Sequence, residues 1–140
     1  MNADLAAQKA LDKLAKAGFD ALTEVEKTLA TVWSIESAVD NEGFEHFFNH
    51  PSGDLAFYAP KALTNIGALN MAALAAKANA VFGAGGPPRD GEKRRAMVKT
   101  FDAKAAKTLS DLDDAFLESP DDTDALLDGY IAKATKAKGA

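Results

Sequence analysis

Residues 40–53 read DNEGFEHFFNHPSG. Asn41 and Gly43 tolerate positive φ and supply turn chemistry. Phe44, Phe47 and Phe48 then recur at helical spacing until His50-Pro51-Ser52-Gly53 stops the helix. A sharp helix–turn–helix corner follows, with the three phenylalanines plugging a core beneath it. Upstream, Leu22, Val25, Leu29, Val32, Trp33, Ile35 and Val39 keep a 3.6-residue period, which predicts a helix from about Asp20 to Asp40. The same corner carries His46 and His50 at i and i+4 with Glu42 and Glu45 beside them, a spacing able to hold zinc on a helix. The order His-Glu-x-x-His is missing, however, and the chain has no cysteine and no third histidine. Ser34, Ser37, Ser52, Ser110 and Ser119 lack the Gly-x-Ser-x-Gly elbow of a serine nucleophile. A small hydrolase or metal-dependent enzyme built on Glu42, Glu45, His46 and His50 is the alternative to a purely structural corner.

Working outward, residues 3–17 predict a first helix with a thin stripe of Leu5, Leu11 and Leu14, closed by Gly18 and expected to pack loosely. Pro60 opens a helix through Ala62, Leu63 and Ile66 to Gly67. Asn70 is placed to cap the next, with Met71, Leu74, Ala78, Val81 and Phe82 on its buried side. GAGGPPRDG (83–91) is a loop. It lacks the Gly-Lys-Ser/Thr ending of a phosphate loop, and its two prolines remove backbone donors. Beyond it, Met97, Val98 and Phe101 are apolar, and a helix follows with Leu109, Leu112 and Phe116 on one face. Ser119-Pro120-Asp121-Asp122 stops that helix and caps a last one carrying Leu127, Tyr130, Ile131 and Ala134. The sum is an all-α single domain of about seven helices: an N-terminal helix over 1–19, a body over 20–132, and a flexible lysine-rich tail over 133–140.

The 140 residues are 47% hydrophobic with a net charge of −5. Alanine, leucine, lysine and the acids favour helix, and β-branched residues are sparse. No apolar run of membrane-spanning length occurs, so no membrane association is expected, and with no signal-peptide core the cytoplasm is the simplest compartment. No cofactor is implied. Charge is segregated along the chain. Thr108 to Ala132 holds eight acids (Asp111, Asp113, Asp114, Glu118, Asp121, Asp122, Asp124 and Asp128) and no Lys or Arg. On a helix wheel Asp111, Asp114 and Glu118 lie opposite Leu109, Leu112 and Phe116, so the ridge is either a solvated face or a phosphate-like row for a basic protein partner. Just upstream, Arg89 to Lys107 holds seven bases against Asp90, Glu92 and Asp102. Arg94 and Arg95 could touch nucleic acid or pair with the acidic ridge of a second copy, which would make an oligomeric structural domain. The overall acidity argues against direct nucleic-acid binding.

The run WSIESAVDNEGFEHFF (33–48) resembles the bacterial DNA-mimic protein C-terminal domain family. Val39, Asn41, Gly43, Phe44, Phe47, Phe48, Asn49 and Gly53 follow its leading motif. Ile66-Gly67-Ala68, Leu112-Asp113 with Phe116, and Tyr130-Ile131 follow its later blocks, so the likeness covers about residues 20–132. Glu42 replaces a usual glycine, His46 a usual glutamine, and Asn49 falls one position early. The resemblance implies an all-α fold, and the domain is read as non-enzymatic. For the family's namesake it implies a homodimer whose acidic surface imitates duplex DNA and occupies the DNA-binding face of a transcription regulator.

Overall fold

Gly18, at φ +86°, ends the first helix, α1 (Ala3–Ala17), and the chain turns through a 3₁₀ segment, Phe19–Ala21. The computed structural model describes the backbone of residues 3–139 and the side chains of residues 3–134. Thr23 then opens α2 (Glu24–Glu42) with a capping box. Its hydroxyl accepts the Glu26 N–H, and Glu26 Oε1 accepts the Thr23 N–H at 2.8 Å. The second helix therefore starts four residues later than its apolar period alone predicts, because the box satisfies its first amides. Lys13 Nζ donates to the same Glu26 carboxylate at 2.8 Å and ties α1 to α2.

Six further helices complete the fold among the described residues: α3 (Phe44–Asn49), α4 (Ala59–Asn65), α5 (Leu69–Ala80), α6 (Gly91–Val98), α7 (Ala103–Glu118) and α8 (Thr123–Gly139). A 3₁₀ helix, Pro51–Tyr58, joins α3 to α4. The all-α class holds, with eight α-helices where about seven were expected. The additional one is α6, whose inward position is an arginine and which therefore shows almost no apolar period. The backbone of α8 runs through the lysine-rich end to Gly139.

The central helix is α2, packed against α1, α3, α4, α7, α8 and the Pro51–Tyr58 segment. Phe44, Phe47 and Phe48 are all within 1% of complete burial. Phe44 meets Phe116 edge-on at 5.4 Å, and Phe48 meets Phe82 at 4.7 Å, so the corner locks α7 and the end of α5 into one core. Each such ring contributes about 2 kcal/mol by burial. Helix α1 joins this core differently from the expectation. Its buried face is Ala3, Ala7 and Ala10, while Leu5 is 52% exposed and Leu11 and Leu14 are half-buried. Alanines spaced three and four apart let two helix backbones approach closely.

Helix α5 is also capped differently from the expectation. Asn70 lies inside the helix, and the cap comes from the α7–α8 link: Asp121 Oδ2 accepts the Met71 N–H at 2.9 Å and Oδ1 accepts from Asn70 Nδ2 at 3.0 Å. A remote carboxylate satisfies the positive end of the helix as well as a local side chain would. Asp122 Oδ1 accepts the Ala125 N–H, which is the start of α8 that the sequence predicts.

Candidate functional site

Gly43 makes the corner. At φ +93° it donates to Ala38 O and Val39 O, which closes α2, while Phe44 N–H turns outward to Asp113 Oδ1 at 2.7 Å. A Cβ on Gly43 would stand 2.5 Å from Asp113 Oδ2, so glycine is required for space as well as for φ. Asn41 does not share this role. It is helical, and its Nδ2 donates to Ser37 O. Of the other motif residues, Val39, Gly53 and Ile66 are buried, Asn49 is exposed, and Gly67 takes φ +88° between α4 and α5.

Behind the corner, Arg94 is 0% exposed, which corrects the expectation that it touches nucleic acid or a second copy. Its Nε donates to Phe48 O at 2.7 Å, Nη2 to His50 O, and Nη1 to Pro88 O and Arg89 O. Nη1 also pairs with Asp54 at 2.9 Å. The guanidinium thus gathers carbonyls from the α3 terminus and the Pro-rich loop, and His50 O also accepts the Gly53 N–H. Gly53 is held to glycine because a Cβ there would press on Phe47 O and lie 2.8 Å from Arg94 Nε.

The histidines line a cleft of about 320 Å³ shared with Trp33, Ser37 and Glu42. His46 Nδ1 lies 3.1 Å from Glu42 Oε2, and the His46 and His50 rings stand 5.4 Å apart. His50 Nδ1 accepts the Ser52 N–H at 3.1 Å and lies 3.0 Å from Ser52 Oγ, a contact that the sequence does not announce. This is the N-cap of the Pro51–Tyr58 helix. It occupies the lone pair a general base would need, and it places the proton of neutral His50 on Nε2, the nitrogen left for a metal. The carboxylate that orients an imidazole sits on the other histidine, and Glu45 reaches neither ring. Among the described residues, no group of three or more His, Asp or Glu is arranged to hold a metal ion.

The eight late acids divide by what they touch. Asp113 holds the corner, Asp121 caps α5, Asp122 caps α8, and Asp111 pairs with Lys107 at 3.3 Å. Asp114, Glu118, Asp124 and Asp128 are exposed, with no hydrogen bond or ion pair among the described residues. The structure adds acids the linear run does not contain. Burial first, and then the charges of Asp40, Asp124 and Asp4, push the Glu36 carboxyl up, with Thr123 partly offsetting the rise. Glu36 Oε2 is buried and has no hydrogen-bond partner. Burial likewise raises Asp40. Asp113 is raised by burial and then by Asp114 and Glu45, against the hydrogen bond from Phe44. Carboxylates from α1, α2 and α8 therefore act on Glu36, and those from α3 and α7 act on Asp113. Residues distant in sequence make these clusters, so no run of acids along the chain reveals Asp4, Glu36 and Asp40.

No helix among the described residues is long and apolar enough to cross a membrane. No curated protein and no solved structure matches the chain. A family model described as DMP19-like protein matches residues 20–134, from the turn before α2 into α8, and leaves α1 outside. The matched span contains the Gly43 corner, the three buried phenylalanines and the Asp113 and Arg94 supports, and on that match the chain belongs to the DMP19-like protein family.

Proposed function

We propose that the protein is a non-enzymatic binding module that offers its acidic face to a basic DNA-binding regulator in place of DNA. The carrying observation is the crowding of carboxylates across helices. The charges of Asp40, Asp124 and Asp4 act on Glu36 beside α2 and α8, and those of Asp114 and Glu45 act on Asp113 beside α7. Like charges held close together cost stability, and a basic partner relieves that cost. Membership of the family supports the same reading. On α7, carboxylates three and four residues apart stand about 5–6 Å apart at Cβ, the order of spacing a phosphate-reading surface accepts. Leu117, 57% exposed beside Asp114 and Glu118, adds an apolar anchor of the kind protein interfaces use.

The test is competition. The wild-type chain displaces duplex DNA from a basic helix-turn-helix regulator in a mobility-shift assay, and displacement weakens as salt rises. The combined variant Asp114→Asn, Glu118→Gln, Asp124→Asn and Asp128→Asn keeps the helical circular dichroism and loses the competition. Equal competition by that variant would sink the proposal.

A further inference from the structure

We propose that the groove between α1 and the Pro51–Tyr58 segment binds a small amphipathic carboxylate, with its chain on Leu11, Leu14 and Leu55 and its head on Arg89. The groove encloses about 670 Å³, within the usual range of ligand sites, and those leucines, Phe19 and Pro51 make it mainly apolar. Three charged residues line it. Asp54 is held by Arg94, and Asp90 accepts the Glu92 and Lys93 amides at the start of α6, so both acids are occupied within the fold.

Arg89 is different. Its guanidinium lies 4.4 Å from the centre of Phe57 and 5.0 Å from that of Phe19. Stacking engages the faces of the guanidinium and leaves its N–H edge for acceptors. The nearest carboxylate, Asp20 Oδ1, stands 3.9 Å from Nη2, beyond hydrogen-bond reach, on a side chain that is 90% exposed. A fixed, edge-open arginine at the mouth of an apolar groove matches a carboxylate bidentately and matches neither an ammonium nor a neutral head. The walls Leu11, Leu14 and Phe19 precede residue 20, so this site is built partly from outside the family-matched span.

The chain's sole tryptophan reports on it. Trp33 lines the adjoining cleft, which shares Leu11, Ser34 and Ser52 with the groove. Titrating the full chain with decanoate by calorimetry is expected to give saturable binding of one molecule per chain, with a parallel change in Trp33 emission. Decylammonium gives neither signal. Arg89→Gln weakens decanoate roughly tenfold or more, and Leu14→Gln weakens it with the charge intact. Absence of saturable decanoate binding, equal binding of decylammonium, or wild-type affinity in Arg89→Gln would overturn the proposal. The head-group comparison uses the unaltered chain, so the outcome does not depend on a variant folding.

Discussion

The Asp113 carboxylate and the Phe44 amide meet at 2.7 Å across 69 residues of sequence, and Gly43 packs its bare Cα against the same carboxylate. Two costs can therefore be separated. Asp113→Ala removes a cap and is expected to destabilise by about 1–2 kcal/mol. Gly43→Ala adds strain at φ +93° to a collision with Asp113, for at least about 2 kcal/mol. The double variant should cost less than the sum, because without the carboxylate the new methyl has room. Urea unfolding of the four proteins measures this. Strict additivity would show that the space at Gly43 is not what demands glycine.

Arg94 predicts a contrast with its basic neighbours. Replacing it by Met removes the donor to the buried Phe48 carbonyl, the donors to three part-buried carbonyls and the partner of the exposed Asp54, and should cost about 2–4 kcal/mol. Lys93→Gln, at an exposed position, should stay within about 0.5 kcal/mol. Comparable small losses in both would mean the guanidinium contributes nothing to the corner.

The pH dependence follows from the crowded acids. Glu36, Asp40 and Asp113 bind protons more tightly folded than unfolded, so their contribution to stability falls as pH rises from the ordinary carboxylate value through the raised folded value. Glu26 runs oppositely. Lys13, first among its causes, lowers it, and its contribution is present above the unfolded value and lost as pH falls through the lowered one. The melting temperature is expected to be higher at about pH 5 than at about pH 8, and to fall again below the ordinary carboxylate range. Glu36→Gln should raise it at neutral pH and flatten the acid-side rise. A melting curve unchanged by Glu36→Gln at every pH would refute this account.

The alanine face of α1 predicts intolerance of bulk. Ala7 is 1% exposed against α2, and Ala7→Leu should cost about 1–3 kcal/mol by overpacking. Leu5→Ala, at a position 52% exposed, should be nearly neutral, within about 0.5 kcal/mol. Thermal melts of both decide between an alanine and a leucine interface.

Much of this fold is legible wherever burial is apolar and periodic. The α2 stripe, the phenylalanine corner, the Leu109-Leu112-Phe116 face and the Pro-Gly loop all appear where their spacing puts them. Legibility fails where a polar group does the packing or the partner is remote. Helix α6 turns Arg94 inward, so its period is invisible to any apolar count. Asn70 has the right chemistry for a local cap, yet Asp121 supplies it from fifty residues away. The acidic ridge is legible as composition but not as a surface. Asp113, Asp121 and Asp122 hold hydrogen bonds within the fold, while Glu36 meets the charge of Asp124 only through the packing of α2 against α8.

Asp121 gives the end of the chain authority over its middle. Helix α5 has its first amides facing a carboxylate made 50 residues after Met71, and the Phe44 amide waits for one made 69 residues later. During synthesis from the N-terminus, both helix starts are complete before their caps exist. The early two-thirds of the chain therefore emerges with its topology written but its amides unsealed, and closure comes as one late event when α7 and the link to α8 dock. A nascent chain stopped short of residue 113 would be helical, collapsed and unfinished, the state in which such a protein most needs a chaperone.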